Sequence, residues 1–284
     1  MGIKTFFSVL FFSVLNILTS VVEAQTTTQL KDINTVLEQA FDNDQNVRDS
    51  SIMILEKHGV FSSEYKNALL RMNEQDSINQ SIVFPILDKY GWLGNAKVSH
   101  KACNAFFYVI QHAGLASQIK YSQKVKEAFH LRYINPYEYS IFVDRLNIKQ
   151  NKYQIYGSQT EFDQSGNTFL YPVLDIKHLD KQLKKLGLKP KYKELEKDFQ
   201  LLNVKEKDKV VMVWVKDKTM TKPIANVNLY VNGKFVGKTD DKGFFQGKLK
   251  KIKFPFTLYV VYNNKKIKQM PSTDEDFYKF YFGL

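Results

Sequence analysis

One cysteine, Cys103, occurs in 284 residues, so no disulfide can form within the chain. Stability must come from burial, and 44% hydrophobic and 14% aromatic residues suffice to build cores. Histidine is also scarce, at 58, 100, 112, 130 and 178 only. His100 and Cys103 are three apart on a helical stretch, but a closed zinc site needs four ligands and a catalytic one three. No metal and no cofactor is therefore expected. A phosphate loop, a dinucleotide fingerprint, a His-Glu-x-x-His helix and a nucleophile elbow are all missing from the pattern. Arginine is absent after Arg145. Lysine alone lacks the planar fork that grips phosphate in two places, which disfavours nucleic acid as a partner. After residue 24 no apolar run is long enough to cross a bilayer.

The first 24 residues have the layout of a cleaved secretory signal. Lys4 supplies the positive end, Phe6 to Leu18 the apolar core, and Val22-Glu23-Ala24 the small-residue exit before Gln25. The alternative is an uncleaved anchor. A secreted or periplasmic location is expected, with no membrane span after cleavage.

Charge is uneven along the rest. Residues 25–175 hold 15 Lys and Arg against 16 Asp and Glu, whereas residues 176–284 hold 25 Lys against 12. A lysine-rich tail suits an anionic envelope polymer, or serves only as a solubilising surface.

The periodicity predicts an α+β chain: an N-terminal mainly helical domain with a small β-hairpin (25–175), a Lys-rich helical linker (176–207) and a C-terminal all-β sandwich (208–284). Gln29 to Lys57 is helical, with a break expected at Asp44 to Val47. Further helices are expected over 65–80 and 81–90, the latter stopping at Gly91-Trp92. Lys97 to Ala113 is apolar nearly all round and belongs at the centre of a bundle. Asn135-Pro136 with Glu138 three residues after the cap opens a helix to about Leu146. Lys152 to Tyr156 and Thr168 to Tyr171 are β-prone, with a turn at Gln164 to Asn167. Short strands from Lys209 onward, with Asn232-Gly233 as a tight turn, read as a sandwich.

Three polar clusters stand in apolar surroundings: Gln111-His112, Asp144-Arg145 and Tyr156-Gly157-Ser158-Gln159. Burying such groups costs about 1–3 kcal/mol each unless they find partners. The expectation is one pocket holding Gln111, His112, Asp144, Arg145, Tyr156 and Gln159, with Trp92 as a lining aromatic. His112 could act as a base and Asp144 could fix its tautomer. A core histidine satisfied by Asp144 or a backbone carbonyl is the plainer account. Gly157 permits close approach by a ligand or a helix.

Residues 42–195 resemble a bacterial family of unknown function, DUF6624. The resemblance rests on Asp88-Lys89-Tyr90-Gly91-Trp92, Gln111-His112-Ala113, Asp144-Arg145, Gln154 to Gln159 and Leu186-Gly187-Leu188-Lys189-Pro190. Leu93, Gly114 and Ser158 depart from its usual proline, aspartate and threonine. The tail is similar to carboxypeptidase regulatory-like β-sandwiches through Pro223 to Val227 and Gly237 to Phe244. That resemblance implies an accessory module that positions its neighbour.

Two function classes follow. One is a secreted envelope protein that binds an unknown small molecule or an anionic polymer. The other is a hydrolase using His112 as general base with Asp144 behind it.

Overall fold

The computed structural model describes the backbone of residues 3–163, 166–249 and 252–284, and side chains from residue 29 onward. The side chains of the expected signal segment, 1–24, therefore lie outside the described residues, as do Gln164 and Ser165 of the expected turn. The chain is a mixture of helices and small sheets, and it divides into two compact units between Ile134 and Asn135.

The first unit is helical: α1 (Ile3–His58), α2 (Ser63–Tyr90), α3 (His100–His112) and α4 (Leu115–His130). The break expected at Asp44 to Val47 is absent, and α1 runs through it. The polar residues there bond laterally to side chains and leave the backbone ladder intact. α2 likewise continues through Pro85, where two helices were expected. It stops at Gly91 as expected, with φ 70° there, and it starts at a cap where the Ser62 hydroxyl accepts from the Tyr65 amide at 3.0 Å. Ser99 caps α3 by accepting from Ala102 at 3.1 Å, and donates to Glu38 of α1 at 2.5 Å. α3 is the central helix, as its composition implies. Ala102, Cys103, Ala105, Phe106, Phe107, Val109 and Ile110 are all buried.

The second unit opens with α5 (Pro136–Lys149), whose expected capping box is present: Asn135 accepts from the Glu138 amide and Glu138 accepts from the Asn135 amide. An antiparallel hairpin follows, β1 (Thr160–Phe162) with β2 (Thr168–Leu170). The first strand was expected at 152–156, but among the described residues that stretch makes a single bridge, Gln154 to Val173. Gln154 instead spends its amide on the loop, donating to the carbonyls of Gln159 and Tyr171. A 3-10 turn (Ile176–His178), α6 (Leu179–Lys185) and α7 (Tyr192–Asp198) come next.

Two sheets complete the unit. β3 (Lys209–Lys216) lies between β6 (Phe244–Leu249) and, in parallel, β9 (Phe277–Gly283). The other sheet is antiparallel, in the order β5 (Lys234–Lys238), β4 (Asn228–Val231), β7 (Leu258–Tyr262), β8 (Lys265–Gln269). Val211, Val213 and Val215 of β3 share a core with Leu229, Val231, Leu258 and Val260 of the second sheet. Val210, Met212 and Trp214 point the other way, onto Tyr153, Phe169, Tyr171 and Val204. That is why β3 is a continuous apolar run: both faces are covered.

The same contact corrects the expected boundaries. α5 and the hairpin, placed by sequence with the helical domain to residue 175, belong to the sheet unit. The expected linker 176–207 packs a core of its own, in which Leu179, Leu183 and Leu195 meet Leu170 and Val173.

Candidate functional site

In the first unit, one face of α1 buries Leu37, Ala40, Asp44 and Ser51 at helical spacing. Asp44 therefore points inward, and only 1% of its side chain is exposed. Its Oδ1 accepts from His112 Nδ1 of α3 at 2.9 Å and faces Arg48 Nη1 at 3.1 Å. Its Oδ2 accepts from Gln45 Nε2 at 2.7 Å. Arg48, one turn further along α1, donates through Nη2 to Asp76 of α2 at 2.7 and 3.0 Å. Three helices thus meet on one network of carboxylate, guanidinium and imidazole.

An ionised carboxylate can only accept, so the contact with Asp44 places the imidazole hydrogen on Nδ1. The Nε2 of neutral His112 then carries the lone pair and is the nitrogen able to take a proton. The side chain of His112 is 16% exposed, so the ring is partly open to solvent. Its apolar flank is Tyr108, one turn back on α3, with ring centroids 6.2 Å apart. Tyr108 in turn meets Phe41 edge-on at 5.4 Å.

Ligand atoms of Asp44, Asp76 and His112 lie within 4.8 Å of one another, so these three could hold a cation. Arg48 already contacts both carboxylates and supplies the positive charge that a metal would bring. A metal would have to displace it.

The carboxylate behind His112 Nδ1 is thus Asp44, where Asp144 was expected. Asp144 is wholly buried in the second unit, and backbone amides surround it. Its Oδ1 accepts from Ile155 and Tyr156 at 2.7 and 3.0 Å, its Oδ2 from Ser158 at 2.9 Å. Burial pushes its carboxyl above the ordinary range, against the lowering effect of those amides. Its work is to fold the 155–158 loop over the end of α5.

The other expected residues divide between the units. In the first, Gln111 is buried and its carbonyl accepts from Gln118 at 2.7 Å. Trp92 packs on Phe106 with ring centroids 5.6 Å apart. In the second, Arg145 is half-buried on α5, and Gln159 donates its amide to Gln154 Oε1 at 2.8 Å and its side chain to Ser158 Oγ at 3.0 Å. The close approach expected at Gly157 is real. Its φ is +66°, and a Cβ there would lie 2.9 Å from Leu195 of α7. Tyr156 is half-buried, and burial pushes its phenol up to about 12. It lines a cleft of about 600 Å³ with Ile155, Leu174, Asp175, Gln182 and Lys205.

Asp44, Arg48 and Asp76 are the functional candidates that sequence reasoning missed. The available signal was Asp44 itself, a carboxylate on the buried stripe with an arginine four residues later. No family model matches the chain, and no curated protein matches it.

Proposed function

We infer that the helical unit is a hydrolase-type proton-transfer site in which His112 is the general base and Asp44 its orienting carboxylate. The observation that carries this reading is the 2.9 Å contact between Nδ1 of His112 and the buried Asp44, across two helices. Nε2 would take a proton from water as its oxygen attacks an ester, amide or phosphoester centre, and would return it to the leaving group. Asp44 would hold the tautomer and stabilise the imidazolium. Arg48 and Asp76 would hold Asp44 in place. We read the chain as an exported envelope protein of the DUF6624 kind. Its paired sheets would form a regulatory-like β-sandwich that accompanies the helical unit.

The test is turnover by the full chain of a panel of activated carboxylic esters, anilides and phosphate esters, beside His112→Gln. The reading expects at least one class to be hydrolysed, with a loss of about 10²–10⁴-fold in the variant while its melting temperature stays close to wild type. Equal rates in the two proteins across the panel would overturn it.

A second reading, a binding or accessory module, is favoured by the cleft beside Tyr156 and by the lysines around it. It predicts saturable ligand or polyanion binding that Tyr156→Ala weakens and His112→Gln leaves unchanged.

A further inference from the structure

A second place in the molecule carries unmet polar chemistry, and it is independent of the His112 site. On β3, Trp214 and Lys216 are two apart and point to the same side of their sheet. Both are buried, at 1% and 3% exposure, and both face a small cavity of about 100 Å³ closed by the β1 end of the hairpin. Among the described residues, the ammonium of Lys216 has one ionic neighbour, Asp163 Oδ2 at 3.5 Å, and no hydrogen-bond partner. The indole N–H of Trp214 has none either. An ammonium carries three donors and an indole one, so a dry interior would leave several of them unsatisfied. Native interiors seldom tolerate that.

The charges around the cavity say what can fill it. Lys216 is balanced by Asp163, and Glu161 by Lys279 at 2.9 Å, with the Tyr171 hydroxyl also donating to Glu161. An added anion would leave buried negative charge uncompensated. A neutral hydroxyl fits better, since it accepts from the ammonium or indole and donates to a carboxylate. The rim is aromatic. Tyr281 stacks on Trp214 at 4.9 Å and 11°, yet is 45% exposed, and Phe162 is 66% exposed. Exposed ring faces beside a hydroxyl-binding recess match a molecule with an apolar C–H face and polar edges.

We propose that this recess, built on Lys216, Trp214 and Asp163 under the rim of Tyr281 and Phe162, binds a sugar. The recess admits adjacent hydroxyls of one ring, and the ring's C–H face rests on the aromatic rim. Ordered water is the competing occupant, because the volume would hold about three waters at ~30 Å³ each.

Trp214 is its own reporter. In full-length protein carrying Trp92→Phe it is the remaining indole. Its emission is followed during titration with glucose, galactose, N-acetylglucosamine and their short oligomers, and separately with sodium acetate at matched ionic strength. The expected result is a saturable change with at least one sugar and none with acetate. Lys216→Met, which keeps the stem and removes the donors, should weaken that binding roughly tenfold or more. Tyr281→Ala, at an exposed rim position, should weaken it too and guards against a folding defect at Lys216. Saturation by acetate with none by sugars, no saturation by any sugar, or sugar binding unchanged in both variants would each overturn the proposal.

Discussion

Asp44 shows how much one side chain can organise. It is buried, it accepts from His112 and Gln45, and its charge is matched by Arg48. Removing the guanidinium while keeping the stem leaves that carboxylate buried without its counter-charge, which costs about 3–5 kcal/mol. Arg48→Met should therefore lower the chemical-denaturation stability of the protein by about that amount. A loss below about 1 kcal/mol would mean an ordinary surface pair. His112 is legible in the sequence because a polar residue at the end of an apolar helix stands out. Its partner is not. The stretch Asp44-Gln45-Asn46-Val47 reads as a break, because sequence alone cannot tell polar atoms bonded to the backbone from those bonded across helices. Asp144 was recognisable as a buried carboxylate for the same reason, yet pattern cannot say what a buried carboxylate faces.

At the scale of elements, the loop over Asp144 is the clearest case of one side chain folding a segment. Amides of Ile155, Tyr156 and Ser158 converge on a single carboxylate. Asp144→Ala would strand them in a buried place, and it should destabilise the protein by at least about 3 kcal/mol. In hydrogen exchange, those three amides should lose protection before the strands of the sheets do. Retained protection would show that the loop is held by Gln154 and Gly157 alone. The helix with the strongest cap was readable, since the Asn135–Glu138 box acts as its sequence implies, whereas the Ser62 and Ser99 caps emerge from the structure. The hairpin's position was not, because Tyr153 and Gln154 are β-prone residues recruited for other work. Tyr153 donates its hydroxyl to the carbonyls of Asp208 and Asp276, within the sheet segment.

For the whole molecule, the division into helical and sheet-bearing parts is visible in the change of period, but its position is not. The boundary falls at 134/135 because β3 needs cover on both faces, and the cover comes from residues earlier in the chain than any local pattern reveals. That burial also makes the second unit sensitive to alkali. Burial pushes Tyr156 and Tyr278 up to about 12, and Tyr153 and Tyr171 further still. A phenol whose folded value lies above its unfolded one, near 10, supports the fold fully below about pH 10. That support is lost as pH rises through 10 toward 12. Phenolate absorbance should show a group of tyrosines that ionise well above pH 10 in the native protein and together with unfolding. Normal titration of all sixteen tyrosines before unfolding would contradict this burial pattern.

The most direct test of the account is the tautomer of His112, read from its ring nitrogens by long-range proton–nitrogen NMR at a pH where the ring is neutral. With Asp44 on Nδ1, the hydrogen must reside on Nδ1 in the wild type, and Asp44→Asn should release that preference. A neutral ring that carries its hydrogen on Nε2 in the wild-type protein, or an unchanged pattern in Asp44→Asn, would contradict it.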